Sequence, residues 1–156
     1  MYARSTSAES DSKHFYLKNS KGLYYRANKD TKQLIITESI IDFLSIYQID
    51  EIRNNYDFLP IYGTNRLNQD HKTAISKLKQ LQEIIFFLDG DLAGEEAIKK
   101  YSKDLHKLFS GIKISKVNTP ENEDINSLLQ GHTEELFTHL LETRQQLFLS
   151  NETRYK

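Results

Sequence analysis

Two carboxylates that flank a glycine, Asp89-Gly90-Asp91, follow directly after the apolar run Ile84–Leu88 and suggest metal chemistry. Side chains of successive residues on an extended segment point to opposite faces, and a sharp turn at Gly90 could direct both carboxylates toward one point. Two carboxylates about 4 Å apart repel each other by roughly 4 kcal/mol at an effective dielectric constant of about 20. A divalent cation relieves this repulsion, and oxygen ligands favour Mg²⁺, Mn²⁺ or Ca²⁺. The alternative is a structural turn with a helix N-cap, for which Asp and Gly are common residues.

Two better-known loop types do not fit this segment. A calcium-binding EF-hand loop needs an oxygen ligand at its fifth position and Glu at its twelfth, where this chain has Ala93 and Lys100. A phosphate-binding P-loop needs Gly, four residues and then Gly-Lys-Ser/Thr, and no such string occurs in the chain.

A second acidic pair, Glu38 and Asp42, follows the apolar run Leu34–Thr37. The i, i+4 spacing places both carboxylates on one side of the start of a predicted helix over Ser39–Ile49. Acidic residues in a first helical turn also stabilise the helix by a few tenths of a kcal/mol to about 1 kcal/mol. Helix capping is therefore the alternative to a chemical role for this pair.

Two further segments offer weaker signals. Gly63-Thr64 follows the run Phe58–Tyr62, where Gly permits a sharp turn and the Thr hydroxyl could bind a phosphate or cap a helix. An acidic loop that contains Asp124 follows the run Ile112–Val117 and leads into a predicted helix. As an isolated feature, such a loop is usually a solvated connection.

The four apolar runs predict the element order that must position these residues. Each run has the length and continuity of a strand that is buried on both faces. Amphipathic helical stretches lie between the runs, and a last stretch follows them. Strands that alternate with helices predict a four-stranded parallel sheet with helices on both faces. Ligands bind such folds at the carboxyl ends of the strands, which is where all of the acidic segments lie.

The last predicted helix has its apolar residues at helical spacing near the end of the chain. These are Leu136, Phe137, Leu140, Leu141, Leu147 and Phe148.

The N-terminal part of the chain has a different pattern. Residues 1–13 are polar and are expected to form a flexible lead, and residues 14–26 predict a short β-hairpin around a Gly-containing loop. We therefore divide the chain into a lead and hairpin over residues 1–33 and a main domain over residues 34–150.

Composition narrows the class of protein. A chain of 156 residues is about one domain, and the absence of Cys excludes disulfides, thiolate-bound zinc and iron–sulfur clusters. The apolar runs are too short to cross a membrane, and we expect a cytoplasmic protein. The formal net charge of −1 argues against strong nonspecific binding of nucleic acid by this chain alone.

Taken together, these segments resemble the TOPRIM domain, a metal-binding module of bacterial primases, topoisomerases and certain nucleases. The likeness extends over residues 34–145 and is greatest to the primase branch, with a lead segment similar to primase-related proteins of mobile elements. Four strings carry the resemblance: TESIIDFLSIYQ, IYGTNRLNQDHKTAISKL, FLDGDLAGEEAI and NEDINSLL.

This resemblance implies a Rossmann-like TOPRIM fold and a DNA primase-type nucleotidyltransferase that acts in DNA replication. It implies that Glu38, Asp89 and Asp91 are catalytic and that Asp89, Asp91, Asp124 and Glu38 bind Mg²⁺ or Mn²⁺. It also implies that Asp42, Gly63 and Thr64 contribute to substrate binding. The expected partners are DNA and nucleotides, together with a helicase or the zinc-binding and basic parts of a primase.

The chain departs from the family pattern in ways that keep two alternatives open. Ser39 stands where the family has Gly, Asn126 replaces an Asp, and there is no zinc-binding Cys cluster. We therefore expect a fragment of a larger primase or a chain that works with a partner. The alternatives are a non-catalytic accessory TOPRIM domain that binds nucleotide or nucleic acid, and a TOPRIM nuclease in which water replaces the attacking hydroxyl.

Overall fold

The structure is a computed structural model that describes residues 2–4, 14–16 and 31–148. Seven strands and six helices are present in these ranges. The strands are β1 (Tyr2–Arg4), β2 (His14–Tyr16), β3 (Gln33–Thr37), β4 (Asp57–Pro60), β5 (Glu83–Phe87), β6 (Lys113–Lys116) and β7 (Gln145–Phe148). The helices are α1 (Ile40–Tyr47), α2 (Asp50–Asn55), α3 (Gln69–Ser76), α4 (Leu92–Leu108), α5 (Ile125–Gly131) and α6 (Glu134–Glu142).

The main sheet has the strand order β4-β3-β5-β6-β7. Strands β4, β3, β5 and β6 are parallel, which confirms the predicted α/β fold with its four parallel strands. In the two central strands, Thr37 of β3 is opposite Phe87 of β5. The strands that precede Glu38 and Asp89 are therefore neighbours in the sheet.

Helices cover both faces of this sheet, because the central strands are apolar on both sides. Helices α3 and α4 pack on one face, where Ile36, Phe86 and Tyr101 belong to one buried cluster. Helices α1, α2, α5 and α6 pack on the other face, where Phe43 and Phe137 belong to a second buried cluster. Within residues 31–148, no helix is long and apolar enough to span a bilayer.

The sheet has a fifth strand that the sequence did not predict. The hydrophobic spacing predicts that Leu147 and Phe148 lie on the last helical face. In the structure, helix α6 ends at Glu142 and these two residues lie in β7, antiparallel to β6. Their spacing from Leu140 and Leu141 also fits one helical face, so periodicity alone misassigned them. Pairing with β7 satisfies the backbone groups that β6 would otherwise present at the sheet edge.

Arg144 fixes the entry into β7 by binding the buried carboxylate of Glu83 at the amino end of β5. Arg144 Nε and Nη2 donate to the two Glu83 oxygens at 2.8 and 2.7 Å, and Ser115 Oγ and Gln33 Nε2 donate to the same carboxylate at 2.6 and 2.8 Å. Burial opposes ionisation of Glu83, but these hydrogen bonds lower its pKa to about 2.

The N-terminal predictions fall mostly outside the described residues. Within the described part, β1 pairs with β2 in an antiparallel two-stranded sheet, with Ala3 opposite Phe15. Strand β2 lies inside the predicted hairpin of residues 14–26, but its observed partner precedes it in the chain. Residues 5–13 of the predicted lead and residues 17–26 of the predicted hairpin lie outside the described ranges.

Candidate functional site

Glu38 and Asp89 leave the same edge of the sheet from neighbouring strands. Glu38 is the first residue after β3, and Asp89 is the second residue after β5. Because β3 and β5 pair in parallel, their carboxyl ends lie side by side. Both acidic residues are half-buried, so their carboxylates are partly removed from water.

Asp42 is buried and forms a capping box with Ser39 at the start of α1. The backbone N–H and the hydroxyl of Ser39 donate to Asp42 Oδ2, the former at 3.0 Å, and the Asp42 N–H donates to Ser39 Oγ at 3.2 Å. Asp42 therefore has the capping role that the sequence left open. The hydroxyl of Ser39, absent from the glycine of the family pattern, is what makes this capping box possible.

Asp91 and Asp124 are the N-cap residues of helices α4 and α5. Asp91 Oδ1 accepts a hydrogen bond from the Gly94 N–H at 2.7 Å at the start of α4. Asp124 Oδ1 accepts one from the Ser127 N–H at 2.6 Å at the start of α5. Each of these bonds uses one oxygen of the carboxylate, so capping does not by itself prevent the second oxygen from binding a cation.

Backbone hydrogen bonds join the Asp89-Gly90-Asp91 loop to the acidic loop after β6. The Gly90 N–H donates to the Glu123 carbonyl, and the Asn122 N–H donates to the Gly90 carbonyl, both at 2.8 Å. Thr119 Oγ1 donates to the Leu88 carbonyl at 2.6 Å. These bonds bring the loop that carries Asp124 to the end of β5.

The Gly63-Thr64 segment is held against the first acidic loop. The Gly63 N–H donates to the Glu38 carbonyl at 2.8 Å, and Gly63 has φ +121°, a conformation that favours glycine. Thr64 follows on the same loop and is half-buried. The structure thus brings the predicted Gly-Thr segment beside Glu38.

The clustered carboxylates act on one another electrostatically, with Asp89 at the centre. Burial, followed by the negative charges of Glu38, Asp42, Asp124 and Asp91, raises the pKa of Asp89 to about 8. The other four predicted acidic residues therefore all lie close enough to Asp89 to raise its pKa, although the five residues come from three separate segments of the chain. Burial and these charges therefore favour the protonated form of Asp89 in the metal-free protein.

The chemistry of this donor set fits a hard divalent cation. All of the donors are oxygens, and a bound cation would offset both the burial and the neighbouring negative charges that raise the pKa of Asp89. Within residues 31–148, however, no three acidic or histidine side chains are already arranged as a complete set of metal ligands. The site therefore has the charge and the donors for a cation, but its side chains would have to adjust to bind one.

Two interactions near the site were not predicted from the sequence. Thr119 links the two acidic loops. The one sequence feature that could have identified this residue is its position two residues after the run Ile112–Val117. Asn126, which replaces a family Asp, accepts a hydrogen bond from Ser45 Oγ of α1 at 3.2 Å. The lost carboxylate is thus replaced by a neutral contact between α1 and α5.

Comparisons with known proteins agree with this fold. A Toprim-like family model matches residues 35–129, and no curated protein matches the chain in sequence. Three similar solved structures belong to primases, as follows.

The chain resembles the Aquifex aeolicus primase, a structure of its zinc-binding and RNA polymerase domains, with a TM-score of 0.70 and 21% identity over 94% of this chain and 37% of that chain. It resembles a DNA primase domain from Pseudomonas aeruginosa with a TM-score of 0.71 and 21% identity, over 93% of this chain and 47% of that chain. It also resembles the bacteriophage T7 primase domains that were solved with lagging-strand DNA polymerase, an RNA/DNA hybrid and dTTP. That match has a TM-score of 0.61 and 18% identity, over 77% of this chain and 58% of that chain. The chain therefore spans less than half the length of the Aquifex and Pseudomonas chains, and all three likenesses are of fold.

Proposed function

Because this chain belongs to the Toprim-like family, we propose that it is a metal-dependent nucleotidyl-transfer module of the DNA primase kind. In this proposal it acts in DNA replication, in the cytoplasm, as part of a larger primase. The observation that carries the proposal is the gathering of Glu38, Asp42, Asp89, Asp91 and Asp124 at the carboxyl ends of β3 and β5.

The proposed roles follow from the position of each side chain. Asp89, Asp91, Asp124 and Glu38 would hold Mg²⁺ or Mn²⁺, which when bound supplies positive charge that stabilises the transferring phosphoryl group. Glu38, at the end of β3, would accept the proton of the attacking 3′ hydroxyl. Asp42 orients the start of α1 through Ser39, and so keeps Glu38 in position.

The substrates proposed for this site are nucleotides and DNA. The Gly63 backbone and the Thr64 hydroxyl, on the loop beside Glu38, would contact the phosphates of the incoming nucleotide. The T7 primase domains of similar fold were solved with an RNA/DNA hybrid and dTTP. A helicase, or zinc-binding and basic parts of a primase, are proposed as partners that would hold the template.

One observation favours a second function. Asn126 is committed to a hydrogen bond with Ser45, so the acidic loop contributes Asp124 without the second carboxylate of the family pattern. A weaker metal site would suit a non-catalytic accessory domain that binds nucleotide or nucleic acid.

Titration of the full chain with Mn²⁺, followed by paramagnetic broadening of amide signals, tests the metal site. In the wild type we expect broadening near Glu38, Gly90 and Asp124, with tighter binding when nucleotide is added, because Mg²⁺-type sites use few carboxylates plus substrate phosphates. The double variant Asp89→Asn, Asp91→Asn should lose this broadening.

A matched control removes two carboxylates elsewhere. Glu134→Gln, Glu135→Gln on α6 changes the net charge equally and should broaden as the wild type does. Equal broadening in the wild type and in the Asp89→Asn, Asp91→Asn variant would overturn the metal site and would favour the accessory function.

A further inference from the structure

The segments that cover the two faces of the sheet carry opposite charge. On the face of α3 and α4, residues 69–82 and 92–108 contain seven lysines and four acidic residues. On the other face, residues 40–55 and 125–142 contain six acidic residues and one arginine. The formal net charge of −1 conceals this separation. A nucleic-acid backbone would be attracted to the first face and repelled by the second.

Three of these lysines form a row along α4. The row consists of three exposed lysines at intervals of four residues, Lys99, Lys103 and Lys107. They lie along one side of the helix, and each is about 6 Å from the next along the helix axis. Tyr101 and Leu105 of the same helix are buried against the sheet on the opposite side. The row therefore points into solvent.

The position of α4 connects this row to the carboxylate site. Helix α4 begins directly after its N-cap Asp91, and Lys99 and Lys107 follow eight and sixteen residues later. A rise of 1.5 Å per residue places the row between about 12 and 24 Å from Asp91 along the helix axis. A strand whose end lies at the carboxylates could extend along α4 over this distance.

Two glutamates lie near the start of α4: Glu95 is already paired away from the lysine row, whereas Glu96 is exposed three residues before Lys99. Glu95 is bound by Lys116, whose Nζ lies 2.6 and 2.8 Å from its two carboxylate oxygens. A groove of about 460 Å³ lies between α4 and β7, and Lys99, Lys103 and Lys116 are among the residues that line it. Because Lys116 is neutralised by Glu95, Lys99 and Lys103 supply the unpaired positive charge beside this groove, which Glu95 and Glu96 also line.

We propose that the row Lys99, Lys103 and Lys107 binds the phosphate backbone of the nucleic-acid strand on which the carboxylate site acts. The identity of that strand as the substrate rests on the proposed function, whereas the binding surface rests on the charge separation. A row of lysines on an amphipathic helix is common by itself. The strongly acidic opposite face is what distinguishes this surface from an ordinary solvated one.

The test measures binding of a fluorescently labelled single-stranded DNA to the full chain by anisotropy, in chelator and without divalent metal, at several salt concentrations. For a single strand, each phosphate contact contributes about −0.7 to the slope of log K against log salt, which corresponds to about 0.7 in log K at 0.1 M salt. The double variant Lys99→Gln, Lys103→Gln, which loses two contacts, should therefore weaken binding roughly 25-fold at 0.1 M salt. The slope of log K against log salt should fall by about 1.4. Lys and Gln have similar helix propensity, so the helix should be retained.

The matched control is Asn54→Glu, Gln130→Glu on the acidic face, which changes the net charge equally at exposed positions. It should bind DNA within about twofold of the wild type. Equal weakening by both double variants would overturn the proposal, because net charge and not the α4 row would then govern binding. Equal or tighter binding of a poly-glutamate peptide would also overturn it, in favour of an acidic protein partner.

The outcome of the DNA-binding experiment is independent of the outcome of the Mn²⁺ titration. Loss of DNA binding in the lysine variant would support the surface even if Mn²⁺ does not bind the carboxylates. Unchanged DNA binding in that variant would overturn the surface and leave the proposed metal site as it stands.

Discussion

Gly90 lies so close to Pro120 that a Cβ atom at position 90 would be 1.9 Å from the Pro120 carbonyl oxygen. The contact joins the Asp89-Gly90-Asp91 loop to the acidic loop after β6. Because the obstructing atoms belong to the backbone, they cannot move aside as the end of a flexible side chain could. The glycine is therefore required for the approach of Asp124 to Asp89.

Gly90→Ala should separate these two loops and lower the free energy of unfolding by about 2 kcal/mol, within the usual range for a forced steric overlap. Urea denaturation measures the change. Gly111→Ala is the control, because no atom lies within 4 Å of a Cβ at that position. A similar effect of both substitutions would contradict the steric argument.

Asp89→Asn should remove a pH dependence of stability in the metal-free protein. The folded pKa of about 8 exceeds the ordinary value of 3.8, so the folded state binds this proton more tightly than the unfolded state. The associated stability is present at low pH and is lost as pH rises toward and through 8, by at most about 1.4 kcal/mol per pH unit. Urea unfolding at pH 5.5 and 8.0 should show the variant gaining on the wild type at the higher pH. Glu134→Gln should leave the pH dependence as it is, and the idea fails if Asp89→Asn behaves in the same way.

The carboxylates should differ in their contribution to metal affinity. Asp89→Asn and Asp91→Asn should each abolish Mn²⁺ binding to the full chain, measured by calorimetry, while the fold is retained. Asp124→Asn should weaken binding less, because Asn126 has already removed its family partner and Asn can still cap α5. Equal loss in all three variants would show that the acidic loop is a full ligand of the site.

Arg144→Met should destabilise the fold by about 3 kcal/mol, because it leaves the buried Glu83 carboxylate without its main partner. Arg53→Met is the control, since Arg53 pairs with the exposed Asp50 and such pairs contribute less than about 1 kcal/mol. Chemical denaturation at pH 7 compares the two variants. Equal losses of stability would mean that the Glu83 network adds little to the fold.

Lowering the pH tests the same network in the opposite direction from Asp89. The folded pKa of Glu83, about 2, is below its ordinary value of 4.5, so its stabilising contribution is present above 4.5 and is lost as pH falls toward 2. The difference in stability between the wild type and Glu83→Gln should therefore shrink between pH 5 and pH 3. A constant difference over this range would contradict the assigned pKa.

The sequence by itself determined the parallel core and the edge at which the acidic residues gather. Continuous apolar runs such as Ile84–Leu88 identify strands buried on both faces, and parallel strands carry their ligands at the carboxyl ends. These two rules place Glu38 and Asp89 at the same edge of the sheet, and the strand order β4-β3-β5-β6-β7 makes them neighbours. These rules did not predict strand β7, because the spacing of Leu147 and Phe148 from Leu140 also fits a helix.

Only the tertiary structure decided how the acidic residues interact and where the remaining charge lies. The capping of α1, α4 and α5 by Ser39, Asp91 and Asp124 depends on local backbone geometry, whereas the raised pKa of Asp89 depends on charges from distant segments. The separation of basic and acidic segments between the two faces likewise depends on which face of the sheet each connection between strands covers. The net charge is a sum over all residues regardless of where they lie, so it cannot reveal that basic and acidic residues are on opposite faces of the sheet.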